Sequence, residues 1–261
     1  MSAVKTGLLI VTRMASTRLK RKPLLPLGDR RVMDQLIARL KQVQFADGII
    51  MCTTVSPADD ALEAVSREHG LSVFRGSEAN VPARLLFAAH EHALDLIVVV
   101  EGDEIFVDPQ YADRIVTAAQ QNNADFITLD GFPIGAYLLG IRTSALERVC
   151  AVLGTGDDVN TEGWGRYFTQ TGWFKSLAIA PDDEQLRRPD YRFTLDYPED
   201  YELAKAVYAR LYTPGRVVPL REALALLDSD PPLVAINRNR VEEYKTHVSH
   251  YPPLKLTVEA S

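Results

Sequence analysis

Short, β-branched apolar runs alternate with amphipathic helical patterns through the first half of the chain, and this alternation limits the fold more than any other feature. The runs are Gly7 to Val11, Ile49 to Thr54, Leu71 to Phe74, Leu96 to Val100 and Phe126 to Leu129, each the length of a buried strand. Between them, Val32 to Val43 sets Val32, Leu36, Ile37, Leu40 and Val43 on one helical face. Asp59 to His69, Val81 to Leu94 and Pro109 to Gln121 give three further helices. Such a march predicts an α/β fold with a Rossmann-like, mostly parallel sheet and ligands bound beyond the carboxyl ends of its strands.

After Asp130 the pattern changes. GFPIGAYLLGIRTSALERV reads as loop, strand and helix, and DYRFTLDYPEDYELAKAVYARLY as strand, turn and long helix, so the second half is an α+β elaboration. From about Asp228, Pro231, Pro232, Pro252 and Pro253 punctuate a stretch without sustained apolar period, which predicts a C-terminal extension over residues 229–261 that wraps the surface or contributes to an interface. No low-complexity linker intervenes, so 1–228 is expected to be one domain around one principal core.

A net charge of -6 argues against a general nucleic-acid-coating role and requires any anion site to be local. Cys52 and Cys150 stand outside any Cys/His cluster, so neither a disulfide framework nor a structural zinc site is expected, and a reducing cytoplasm fits. The apolar run near the N-terminus has the length of a strand rather than of a signal peptide, and no segment is long enough to cross a bilayer. The five histidines fall in helical or tail segments and read as structural or exposed.

The first strand is followed by Thr12-Arg13-Met14-Ala15-Ser16-Thr17-Arg18-Leu19-Lys20-Arg21-Lys22, where cations and hydroxyls alternate at a strand's carboxyl end. Guanidinium forks and backbone N–H groups placed there can hold a polyphosphate. Neither a G-x-x-x-x-G-K-[ST] nor a G-x-G-x-x-G follows a strand, so a Walker-type ATPase and an ordinary dinucleotide-binding domain lack their signatures. By composition alone the segment could equally be a solvated basic loop. The fourth strand ends in Glu101, Asp103, Glu104 and Asp108. Asp108-Pro109 reads as a helix N-cap with a first-turn proline, whereas Asp103 near a triphosphate loop suits magnesium. In RFTLDYPED, alternation sets Arg192, Thr194 and Asp196 on one face, while Glu199 and Asp200 fall in the first helical turn, where the dipole alone favours acids.

The spacing R-x-x-S-T-R-L-x-x-K-P-L resembles the signature of the cytidylyltransferases that activate acidic sugars, nearest the SpsF-like proteins and the CMP-Kdo synthetases. The family usually has Pro-Gly where this chain has Lys20-Arg21. D-Y-P-E-D resembles the family's D-x-P-E-D. Ile50 to Thr54, Phe74-Arg75-Gly76-Ser77 and Asn80-Val81-Pro82-Ala83-Arg84 are similar to its I-x-A-T-S, F-R-G-S and D-V-L-x-R stretches, with Asn80 in place of the aspartate.

The resemblance implies a nucleotide-diphospho-sugar transferase fold, with a nucleotide-binding half over about 1–130 and an acceptor-binding and dimerisation half over 131–228. It implies that Arg13, Ser16, Arg18 and Lys22 bind the triphosphate of CTP, with Thr12, Thr17, Thr53, Arg75, Ser77 and Arg84 completing the nucleotide site, and that Asp103 and Asp196 hold Mg²⁺. Arg13, Arg18 and Lys22 with the two aspartates form the expected catalytic set. Acceptor-binding candidates are Tyr137, Arg142, Glu162, Trp164, Tyr167 and Arg192, although Trp164 and Tyr167 also suit a helix's packing stripe.

The expected activity is Mg²⁺-dependent transfer of CMP from CTP to an acidic sugar for surface polysaccharide synthesis, by a cytoplasmic homodimer that binds neither nucleic acid nor membrane. Left open are a small phosphate or phosphonate acceptor, another nucleoside triphosphate, and a nucleotide-binding relative without catalysis.

Overall fold

The computed structural model describes residues 4–159 and 161–254. β1 (Thr6–Val11) is buried along its whole length, which suits a strand with neighbours on both edges and helices on both faces. β2 (Gly48–Thr54) and β4 (Leu96–Glu101) flank it in parallel, Leu8 opposing Ile49 on one side and Val98 on the other. β3 (Ser72–Gly76) extends the sheet beyond β2.

On the other side, β5 (Phe126–Leu129), β6 (Leu139–Arg142) and β7 (Ser176–Ile179) complete a seven-stranded mixed sheet of order β3-β2-β1-β4-β6-β5-β7. β6 runs antiparallel to both β4 and β5. The chain leaves β1 toward β2 and β3 and then returns to lay β4 on β1's other edge. Loops after β1 and β4 therefore diverge and leave a crevice at a topological switch point.

Alternation along the central strands feeds two cores. Leu8, Ile10, Val98 and Val100 pack with α1 (Val32–Leu40) and α4 (Pro109–Asn122) on one face. Leu9, Val11, Ile97 and Val99 pack with α3 (Val81–Glu91) and α5 (Thr143–Leu153) on the other. Each fully buried Leu, Ile or Val contributes about 1.5–3 kcal/mol, so the double-sided burial anchors the sheet under the crevice.

The helix expected from Asp59 is α2 (Asp60–His69), and the expected cap at Asp108 is present, its carboxylate accepting from Gln110 N–H at 2.9 Å. The structure adds to or departs from the sequence pattern in three places. Residues 191–195 form no regular strand: Ile134 N–H donates to Tyr191 O and Phe193 N–H to Ile134 O in one isolated bridge, and Leu195 N–H donates to Asp103 O beyond the end of β4. The short strand β7 had no counterpart in the pattern analysis. After α6 (Arg166–Gln170), α7 (Pro198–Leu211) and α8 (Leu220–Ser229), the proline-rich stretch forms α9 (Pro231–Ala235) and α10 (Arg238–Ser249), and the end of the expected extension, 255–261, lies outside the described residues. Pro231 and Pro232 occupy the first turn of α9, where a missing N–H costs nothing. No helix among the described residues is long and apolar enough to cross a membrane.

Candidate active site

The basic loop and the β4 exit meet where the two strands end. Gly102 N–H donates to Val11 O at 2.8 Å, and a Cβ on Gly102 would lie 2.5 Å from Thr12 Oγ1, so only glycine lets the strand ends close up. The loop is anchored below by Asp59. That carboxylate accepts from Met14 N–H at 2.7 Å, Thr53 Oγ1 at 2.8 Å and Thr54 N–H at 3.1 Å. These hydrogen bonds outweigh burial and hold the Asp59 carboxyl below its ordinary pKa. At the far end of the loop Arg21 takes φ 55, the left-handed conformation that a glycine adopts freely, and Pro23 starts a short 3₁₀ turn. The turn is thus formed with arginine where the related signature has glycine.

Asp103 and Asp196 arrive from opposite halves of the chain and share one cation. Lys22 Nζ donates to Asp103 Oδ2 and, at 3.3 Å, to Asp196 Oδ1. A backbone hydrogen bond from Leu195 N–H to Asp103 O, 3.1 Å long, ties the two segments directly. Arg18 approaches Asp196 at 3.2 Å, and its guanidinium lies 5.0 Å from the centre of the Tyr197 ring. Burial penalises the Lys22 ammonium, but Asp103 and Asp196 outweigh that cost and raise its pKa. Burial likewise pushes the Asp196 carboxyl up, and Lys22, Arg18 and Arg192 more than reverse it.

Beneath Asp196 lies a buried network. Asp200 accepts from Arg192 Nε at 2.9 Å and Nη2 at 3.1 Å, from Asn237 Nδ2 at 2.8 Å, and from the N–H groups of Asp196 and Tyr197 at 3.0 and 2.9 Å. Arg192 Nη2 also reaches Asp196 at 3.3 Å, and its Nη1 has no hydrogen-bond partner among the described residues. Asp200 therefore does more than complement the helix dipole: it fixes the backbone that presents Asp196.

A cleft of about 490 Å³ opens above these groups, walled by Thr12, Arg13, Ser16, Thr17, Arg18, Lys22, Arg84, Asp103 and Asp196. Val81 and Glu101, which the sequence places in the stretch that opens α3 and at the end of β4 without a site role, also line it, as do Glu78, Ala79 and Gly102, to which no motif assigns a role. A second space of about 200 Å³ adjoins it, sharing Glu101, Asp103 and Asp196 and bounded by Glu104, Ile134, Gly135, Tyr137, Thr194 and Tyr244. Surrounding protein and the Asp103 charge push the Glu101 carboxyl up to about 7. The same causes, burial first, raise Glu104 well above the carboxylate range. Gly135, at φ +87, packs so closely that a Cβ would lie 2.1 Å from Thr194 N.

The other candidates lie elsewhere. Thr53 spends its hydroxyl on Asp59, and Arg75 is held by Asp60, Glu63 and the carbonyls of Thr54 and Ser56. Ser77 Oγ donates to Asp157 and accepts from Asn80 N–H at 2.8 Å. None of these three side chains lines the cleft. Asn80 caps α3 and donates to Gly154 O and Gly156 O, two bonds an aspartate could not make. Arg142 pairs in register with Leu96, at the opposite end of β4 from the cleft, and donates to Ala124 O and Ala119 O. Glu162, Trp164 and Tyr167 border a separate small pocket with Pro252, Pro253 and Leu254, and Tyr167 is buried in the second core. Arg192 adjoins Asp196 but is buried and engaged with Asp200.

Asp103 and Asp196 offer only oxygen donors, and the Lys22 ammonium already shows that both can be satisfied by one positive centre between them. This fits a hard divalent cation that completes its shell with phosphate oxygens and water. Among the described residues no group of three or more His, Cys, Asp or Glu side chains could hold a metal alone.

The chain is similar to known proteins over most of its length. The chain is 31% identical to the spore coat polysaccharide biosynthesis protein SpsF of Bacillus subtilis (strain 168) over 206 residues, 77% of this chain and 85% of that protein. It is 27% identical to the 3-deoxy-manno-octulosonate cytidylyltransferase of Psychrobacter arcticus over 238 residues, 87% of this chain and 84% of the relative. The solved structure of a cytidylyltransferase from Leptospira borgpetersenii matches with a TM-score of 0.79 at 27% identity, covering 89% of this chain and 97% of that one. A family model described as cytidylyltransferase matches residues 8–229, so the chain belongs to the cytidylyltransferase family and is a nucleotidyltransferase.

Proposed function

We propose that this nucleotidyltransferase moves CMP from CTP to a hydroxyl of an acidic sugar and releases pyrophosphate. The observation that carries the reading is the convergence of Asp103 and Asp196 on Lys22, at the floor of a cleft walled by Arg13 and Arg18. In this reading Arg13, Arg18 and Lys22 grip the triphosphate and stabilise the charge gathering on departing pyrophosphate. Thr12, Ser16 and Thr17 add hydroxyl donors along the same wall, and Arg84, which donates to Ser77 O at 2.5 Å, is assigned to the nucleoside end. Asp103 and Asp196 would hold Mg²⁺, which supplies Lewis-acid charge neutralisation and lowers the pKa of a hydroxyl near it. The acceptor enters from the adjoining space, so that its hydroxyl meets the α-phosphorus at the shared wall of the two compartments. Its carboxylate, beside the reacting carbon, falls within the field of Arg18 and Lys22, since among the described residues the second space has no basic side chain in its wall.

The test is pyrophosphate release from CTP and Mg²⁺ with 3-deoxy-manno-octulosonate and N-acetylneuraminate as acceptors. Asp103→Asn and Asp196→Asn are each expected to lower turnover by about 10³-fold or more with the circular dichroism spectrum preserved. Near-normal turnover in either variant rejects the site.

A further inference from the structure

Helix α10 (Arg238–Ser249) lies beyond the residues 8–229 that the family model matches, yet it reaches the second compartment. Tyr244 on this helix lines the same compartment as Asp103 and Asp196 and is 38% exposed. Its hydroxyl has no hydrogen-bond partner among the described residues, while the Arg192 guanidinium lies 5.8 Å from its ring centre. Arg192 is locked by Asp200, and Asp200 also accepts from Asn237, immediately before α10. The helix is therefore tied to the network that orients Asp196.

The two compartments differ in charge. The cleft wall carries Arg13, Arg18, Lys22 and Arg84, whereas the second wall contains carboxyl groups, two phenols and Thr194, with no Lys, Arg or His among the described residues. Such a wall repels phosphate. It suits an uncharged chain of hydroxyls, which donate to carboxylates, exchange hydrogen bonds with phenol and threonine oxygens, and lay C–H faces on aromatic rings. Its volume, less than half that of the cleft, suits one sugar unit rather than a nucleotide.

We infer that α10 completes the acceptor site and that Tyr244, with Tyr137 and Thr194, binds the polyhydroxyl portion of the acceptor. This rests on the transfer reading above. It assigns acceptor recognition to a segment beyond the residues 8–229 that the family model matches, and separates it from the nucleotide wall.

The experiment compares wild type, Tyr244→Phe and Tyr244→Ala by pyrophosphate release with each of the two sugars named above, and by calorimetric titration of CTP without acceptor. Tyr244→Ala is expected to raise the acceptor KM about tenfold, with kcat within about threefold and CTP affinity unchanged. Tyr244→Phe should fall between, since it keeps the ring and loses the hydroxyl. An unchanged acceptor KM in Tyr244→Ala, or a matching loss of CTP affinity, overturns the assignment. Wild-type protein that binds CTP but uses neither sugar overturns the acidic-sugar reading and this subsite with it. Wild-type protein that fails to bind CTP overturns the nucleotide reading itself.

Discussion

Replacing Asp200 by alanine removes the acceptor of five hydrogen bonds at once, from Arg192, Asn237, Asp196 and Tyr197. The Arg192 and Asp200 side chains are 1% and 0% exposed, so solvent cannot take over the lost partner. Among the described residues the Arg192 guanidinium would retain only Asp196 at 3.3 Å as a hydrogen-bond acceptor, and its Nη1 has none there already. Breaking a buried pair in this way costs about 3–5 kcal/mol. With about 2–4 °C lost per kcal/mol in a chain of this size, the melting temperature should fall by about 6–20 °C. Urea titration followed by tryptophan fluorescence should show a lower midpoint at an unchanged slope. Turnover should fall as well, because the Asp196 N–H loses its anchor and Arg192 turns wholly onto the Asp196 carboxylate. The double variant Arg192→Met/Asp200→Leu removes the stranded charge and should recover at least half of the lost stability while turnover stays low. A single variant within about 1 kcal/mol of wild type, or a double variant less stable than the single, would refute the reasoning.

Burial pushes the Cys52 and Cys150 thiols up to about 12, so at pH 8 only about one in ten thousand molecules carries either thiolate. Iodoacetamide should modify neither in the folded protein and both in urea. Native labelling at the rate of a free thiol would contradict the packing. Arg142→Leu abandons Ala124 O and Ala119 O and should cost about 1–3 kcal/mol in urea titration, while kcat/KM stays within about twofold of wild type. A large rise in acceptor KM would return Arg142 to the active site.

The first half of the fold was legible because its strands are apolar on both faces and its helices on one. Phe126–Leu129 is a strand with the bounds its apolar run suggests, and Leu96–Glu101 runs one residue beyond its own. The second half was less legible for identifiable reasons. Ser176–Ile179 alternates exposed and half-buried positions over only four residues, too short to distinguish from a loop. Residues 190–195 alternate like a strand, but their burial comes from the Arg192–Asp200 pair and the Phe106–Phe193 ring contact rather than from strand neighbours. Helix α10 is polar nearly all round, so no apolar stripe announces it, and Tyr244 looked like any tail residue.

Within the site, the charged loop and both aspartates were readable as types in context, since phosphate and cation chemistry demand those groups. The support beneath them was not. Asp59 and Asn237 act through bonds to distant backbone and side chains that no spacing rule links to them. Arg142 misled for the converse reason: an arginine on a strand suggests anion binding, but the antiparallel register of β6 carries it to the far end of the sheet.

The gap between Asp103 and Asp196 is gauged by main-chain atoms: Leu195 N–H on Asp103 O, and Thr194 N seated against the bare α-carbon of Gly135. Side chains along this seam can drift over generations without altering the gauge, provided position 135 stays empty. A single methyl group there would act as a shim, prising the carboxylates apart while leaving every reacting group in the sequence untouched.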